Sequence, residues 1–232
     1  MAHDIREAAE AAAAASALVC NLGAIGDTDA MEAAGKAANL LGIPVVFDPV
    51  AAGGTSLRRA EAARLMRAVH FSVIRGNASE IRFLAGEQSS GSGVDAGMFD
   101  EITEENLSAA IGIVKGLAEK TGSVIAVSGR LDLISDSRRT AVLRNGSPVM
   151  ARITGSGCML TALTGAFCGA CQKDCFTAAF AASAVMGVCG ELADAKRLER
   201  GTGNASFRND LIDAVFTLTE KQFREEINYE IF

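Results

Sequence analysis

An α/β fold, with a mostly parallel sheet between two layers of helices, is what this 232-residue chain predicts. Three observations carry that expectation. Short apolar runs ending in Gly or a polar residue alternate with stretches at helical period, in a recurrence of strand, loop and helix. Ala and Gly are abundant, whereas aromatics make up 5 % and Trp is absent, which suits helices packed closely on a parallel sheet. Polar residues recur at the strand ends, as Asn21, Asp48, Arg75 and Ser128. Right-handed crossovers then line those tips along one groove. With 49 % hydrophobic content the chain fills a core as one domain, residues 1–232.

The first element is an Ala-rich amphipathic helix over Met1 to Ser16, carrying Asp4, Arg6, Glu7 and Glu10. It has neither the basic start nor the apolar centre of a signal peptide, and no apolar run reaches membrane-span length, so a cytoplasmic place is expected. Ala17 to Gly23 reads as a buried strand. A helix over Asp27 to Leu41 follows, with Met31, Ala34, Ala37, Ala38 and Leu41 on one face and Gly42 as its stop. Ile43 to Val50 is a strand ending in Asp48-Pro49. A carboxylate there points into the crevice where open α/β sheets bind ligands, although an Asp before Pro also makes a simple turn.

Leu57 to Val69 is helical, and Phe71 to Ile74 is a strand running into Arg75-Gly76-Asn77-Ala78-Ser79-Glu80. Asn77 reads as an N-cap with Glu80 completing a capping box. Glu87 to Asp95 is a Gly/Ser-rich loop, read as mobile. A helix spans Thr103 to Thr121, a buried strand Ser123 to Gly129, and two short strands over 131–136 and 139–146 form an antiparallel edge. Helices over Phe176 to Ala195 and Asn209 to Phe223 close the chain, with Gly201 to Phe207 as a loop between them.

The stretch with most chemistry is Ile153-Thr154-Gly155-Ser156-Gly157-Cys158, which opens into a helix bearing Met159, Leu160, Leu163 and Phe167 at helical spacing. Unpaired backbone N–H groups at a helix start bind anions, and Gly155, Ser156 and Gly157 let an oxyanion approach closely. Cys158 falls in the first turn, where the helix dipole favours a thiolate. Alone, the motif is equally read as a helix cap with a buried Cys.

The six cysteines include Cys168, Cys171 and Cys175 at C-x2-C-x3-C spacing. No fourth ligand of matching spacing follows, so free thiols are the default there. Net charge is −6 and no basic stripe interleaved with aromatics is present, so nucleic acid is not an expected partner.

Four motifs in order, Gly42 to Val50, Ile74 to Glu80, Ala126 to Gly129 and Ile153 to Cys158, resemble the hydroxyethylthiazole kinases of the ribokinase-like superfamily over essentially the whole chain. The resemblance implies a three-layer αβα ribokinase-like fold and ATP-dependent phosphorylation of the thiazole alcohol 4-methyl-5-(2-hydroxyethyl)thiazole, feeding thiamine phosphate synthesis. It also implies Mg²⁺ and a homotrimer with active sites between subunits. By position it places Arg75, Ser128 and Thr154 on ATP, and Asp48 and Glu80 on Mg²⁺. Gly155 and Met1 fall on the thiazole, and Gly155, Ser156, Gly157 and Cys158 at the catalytic turn. Cys158 stands where most ribokinase-like enzymes have an Asp that accepts the alcohol proton.

Family members usually carry a further N-terminal segment that supplies the first strand and part of the thiazole pocket. The expectation here is a sheet short of that strand. A related small-alcohol kinase and an idle binding protein are the alternatives that the sequence leaves open.

Overall fold

The computed structural model describes residues 3–86 and 101–232. Met1 and the Gly/Ser-rich loop expected over 87–95 lie outside the described residues.

Seven strands form one sheet whose spatial order is their chain order: β1 (Leu18–Asn21), β2 (Val45–Asp48), β3 (Val73–Asn77), β4 (Val124–Ser128), β5 (Asp132–Ser135), β6 (Thr140–Leu143) and β7 (Tyr229–Ile231). β1 to β4 pair in parallel, and β5, β6 and β7 each pair antiparallel to the strand before. The expected αβα class and the antiparallel edge are both present.

The parallel strands are apolar throughout because both faces are covered. Val45, Phe47, Ile74, Ile125 and Val127 pack under the first helix layer. It consists of α2 (Thr28–Leu40), α3 (Ser56–Ala68), α4 (Ala78–Ala85) and α5 (Leu107–Thr121). Val46, Val73, Val124 and Ala126 face the opposite layer, α6 (Ser156–Ala170) and α7 (Cys175–Arg200). One ring pair, Phe47 on Phe71 at 4.5 Å between centroids, anchors the first layer. α1 (Ile5–Ala13) seats Ala8 and Ala12 on Ala30 and Ala34 of α2, a contact that small side chains make close.

α7 is long and apolar enough to cross a membrane, yet 61 % of its most apolar window is buried inside the domain, against the sheet and α8 (Asn204–Thr217). It therefore reads as the central core helix of that layer.

Several boundaries differ from the sequence reading. β3 does not stop at Ile74 but continues through Arg75 to Asn77, because Arg75 pairs with Ala126 and Asn77 with Ser128 in the β4 ladder. The helix expected over 209–223 is two helices, α8 and α9 (Glu220–Glu226), and α8 begins at Asn204 inside the expected loop. The break falls at Thr219, whose extended backbone and hydroxyl cap α9 in a capping box with Gln222. β7 was not anticipated. Its three residues are exposed and pair only with β6, so no buried apolar run marks them.

Gly35 in α2 shows how tightly the first layer packs, since a Cβ there would lie 2.6 and 2.7 Å from the two methyls of Val69. Alanine in a helix interior ordinarily gains about 1 kcal/mol over glycine. Here Gly35→Ala is expected instead to destabilise by about 1–3 kcal/mol, the range for overpacking a core. Urea unfolding of Gly35→Ala and of Gly35→Ala with Val69→Ala checks this, the second change restoring stability.

Candidate active site

The carboxyl ends of β1 to β4 meet the amino end of α6. In the β1–β2 register Asn21 stands opposite Asp48, so the two strand tips reach the groove side by side. Asp48 is 1 % exposed. Its Oδ2 accepts from Asn21 Nδ2 at 3.0 Å and from Thr161 Oγ1 at 2.7 Å, and lies 3.9 Å from Arg75 Nη1. Burial raises the Asp48 pKa, against the pull of the Arg75 charge and the Thr161 hydroxyl, with the Glu80 charge adding to the rise.

Arg75 is 7 % exposed and donates to Ser128 Oγ, while its buried Nε has no partner. A buried guanidinium with an unused donor, beside a helix start, is built to receive an anion. Two glycines make room for one. Gly155 caps α6 with φ +96, in the left-handed region that a side chain rarely enters. Gly157 passes so close to Arg75 that a Cβ would lie 3.0 Å from Nη1. The groove widens into a cavity of about 1180 Å³ lined by Arg75, Asn77, Ser128, Asp132, Ser156 and Gly157, among others.

Glu80 is buried at the edge of this site, and each oxygen accepts one backbone N–H: Oε1 from Ala51 and Oε2 from Asn77, both at 2.8 Å. The first bond holds Ala51 at φ +52, a conformation costly for a residue with a Cβ. The second completes the capping box that the sequence predicted. Arg58 closes the same region by donating from Nη1 to the carbonyls of Leu22 and Val50, both at 2.9 Å.

The expected site residues thus fall in three groups. Arg75, Asp48, Ser128, Ser156, Gly157 and Cys158 are brought around the turn capped by Gly155. Glu80 sits behind them as an anchor of the loop after β2. Thr154 is exposed, one residue ahead of the turn, and does not line the cavity, and Met1 lies outside the described residues.

Three residues were missed as site members. Asn21 was noted as a polar strand end, but its side chain joins the site: Oδ1 accepts from Gly23 N at 2.8 Å, which turns Nδ2 toward Asp48 and to 3.5 Å from Cys158 Sγ. Thr161 lies one helical turn past Gly157, a spacing that could have flagged it. Asp132 accepts from Gly129 N at 2.9 Å and lines the cavity. Desolvation pushes its pKa up to about 6, opposed by the Gly129 bond and the charge of Arg75.

Asp48 and Glu80 offer the hard oxygens that Mg²⁺ prefers, and each Glu80 oxygen keeps a lone pair beyond its backbone bond. Among the described residues no group of three or more His, Cys, Asp or Glu gathers to hold a metal. The donors therefore fit a cation that keeps waters and phosphate oxygens as most of its ligands.

A model of the hydroxyethylthiazole kinase family matches residues 1–221. The chain belongs to that family. It is 42 % identical to the hydroxyethylthiazole kinase of Clostridium acetobutylicum over 234 residues, covering 100 % of this chain and 85 % of that protein. It is 43 % identical to that of Methanocella arvoryzae over 230 residues, covering 98 % and 82 %. The solved hydroxyethylthiazole kinase of Pyrococcus horikoshii superposes with a TM-score of 0.84 at 31 % identity, over 100 % of this chain and 83 % of that one. Pyridoxal kinase from Staphylococcus aureus in complex with AMP-PCP shares the fold at 17 % identity and a TM-score of 0.53, over 75 % and 62 %. Family, ribokinase-like fold and kinase class thus stand as the sequence predicted.

Because the native state holds the Asp132 proton more tightly than an ordinary Asp, stability falls as pH rises from about 4 through about 6. Asp132→Asn keeps an acceptor for Gly129 and lacks that loss. Thermal unfolding of both chains across this window is expected to shift in favour of the variant as pH rises, and a constant difference would show an unperturbed carboxyl.

Proposed function

We propose that this chain transfers the γ-phosphoryl group of ATP to the hydroxyl of 4-methyl-5-(2-hydroxyethyl)thiazole. The observation that carries the reading is the meeting of the Gly-capped start of α6 with Arg75, both at the large cavity, and of Arg75 in turn with the buried Asp48, 3.9 Å from its Nη1.

Phosphoryl transfer asks the protein for position and for neutralisation of charge on the equatorial oxygens. The first N–H groups of α6, at Ser156, Gly157 and Cys158, have no partner within the helix and present partial positive charge to those oxygens. Arg75 adds a full charge from the side, and with Ser128 it holds the nucleotide; Thr154, which the resemblance also places on ATP, stands outside the cavity wall. Asp48 and Glu80 hold Mg²⁺ with its waters, and the cation offsets the charge of the β- and γ-phosphates when bound. Gly155 and Met1 contact the thiazole. Cys158 is the base that accepts the proton of the attacking alcohol. Asn21 holds that sulfur and Asp48 in one arrangement through a single amide.

A homotrimer with active sites between subunits completes the reading.

Incubation with ATP, Mg²⁺ and the thiazole alcohol is expected to yield the phosphate ester, and nucleotide binding without ester would overturn the reading. Cys158→Ala is expected to lower kcat by about tenfold to a hundredfold, at or below the low end for a general base. Cys158→Asp keeps or raises it, and equal turnover of all three chains removes Cys158 from the mechanism.

Asn21→Asp loses both donors and adds a charge beside Asp48. It is expected to cost about 1.5–3 kcal/mol of barrier, the scale of a hydrogen bond to a charged group. Steady-state kinetics check this, the loss appearing in kcat more than in the KM for ATP.

A further inference from the structure

We propose that Cys175 and Cys168 are an oxidisable thiol pair, a modification site for small hydroperoxides at the far end of α6 from the phosphate turn. Fifteen residues of helix separate the two ends, roughly 20 Å at the α-helical rise. The pair is independent of the phosphoryl-transfer reading.

Cys168 lies in the last turn of α6 and is fully buried, and Cys175 is the first residue of α7 and half-buried. Both belong to one apolar cluster, with Cys171 packed at its margin. The sulfurs of Cys168 and Cys175 interact, the Ser72 hydroxyl acts on the Cys175 sulfur, and as the thiol Cys175 Sγ donates to the carbonyl of Gln172 at 3.9 Å. Cys175 also opens on a second cavity, about 310 Å³, whose wall includes His70, Ser72 and Lys173. A peroxide molecule is far smaller than that space.

The two thiols are unequal, as an attacking and a resolving thiol must be. Two donors on one sulfur in the first turn of α7 favour the thiolate, while burial and the neighbouring Asp174 oppose it. The hydrogen bond from Cys168 is the largest effect, and the Cys175 thiol comes down to about 7. The same bond, with burial, pushes Cys168 well up. Cys20 and Cys189 are buried alone and pushed up to about 12 and about 11, which leaves them inert internal controls. A metal site does not compete for the three thiols, since no group of three ligands gathers among the described residues.

The chemistry balances with hydrogen peroxide as the oxidant. The Cys175 thiolate attacks one peroxide oxygen, the O–O bond breaks, hydroxide leaves, and the sulfur becomes a sulfenic acid. Cys168 then attacks that sulfur and loses its proton, and the S–O bond breaks with release of water. The two thiols lose two electrons and two protons, and peroxide is reduced to two waters. The product is a disulfide tying the end of α6 to the start of α7.

The test treats the intact chain with hydrogen peroxide, alkylates the remaining thiols and maps the products by mass spectrometry. Trypsin cleaves after Lys173 and so separates Cys175 from Cys168 and Cys171. The expected result is a Cys168–Cys175 crosslink lighter by two hydrogens, formed at least about tenfold faster than Cys20 or Cys189 reacts, as thiolate character dictates. Cys171→Ser should leave the crosslink intact. Cys175→Ser should abolish it, and Cys168→Ser should let dimedone trap a sulfenic acid on Cys175. A linkage through Cys171, or a Cys175 that reacts no faster than Cys20, overturns the proposal. The wild-type map decides it even where a variant fails to fold.

Discussion

The burial of Arg75 is the constraint on which the site depends. A guanidinium taken out of water costs several kcal/mol unless charges and acceptors surround it, and here Ser128, Asp48 and the more distant Asp132 supply them. Each of those partners comes from a different strand, so the charge is compensated only when β2, β3, β4 and β5 are in register. The lack of a Cβ at Gly157 then lets the helix start approach the same guanidinium. Sheet pairing, helix placement and site electrostatics are in this way one condition.

A second consequence concerns rigidity. The loop after β2 carries a strained Ala51, yet it is tied twice near its start, at Ala51 by Glu80 of α4 and at Val50 by Arg58, which also reaches the loop after β1. Strain that is held by hydrogen bonds to neighbouring elements can persist, and it keeps Asp48 from drifting. Asn21 extends this bracing to Cys158, so that the acid of β2 and the thiol of α6 are joined through one amide. The same helix that carries the phosphate turn ends in the thiol cluster, and its two ends have opposite settings: one opens on the large cavity, the other is packed in apolar surroundings.

Much of the fold was legible because burial on both faces leaves continuous apolar strands, and the capping box at Asn77 and Glu80 and the Gly155 turn have local signatures. Membership of the hydroxyethylthiazole kinase family was legible in four ordered motifs. Where β3 ends was not, since Arg75, Gly76 and Asn77 look like a loop until β4 pairs with them. The split of the last long helix was hidden because Thr219 is an ordinary residue unless its hydroxyl is seen capping α9. β7 is three exposed residues, too short for its alternation to mark a strand.

What the sequence by itself determined is whatever depends on neighbours along the chain: strand and helix periods, caps, and a glycine whose positive φ only glycine takes easily. What the tertiary structure decided is which distant groups share a low-dielectric space. Asn21 became a partner of Cys158, and Asp132 a carboxyl near pH 6, only once the fold brought their surroundings together. Electrostatic character of that kind belongs to the surroundings of a residue and has no spacing by which a sequence could announce it.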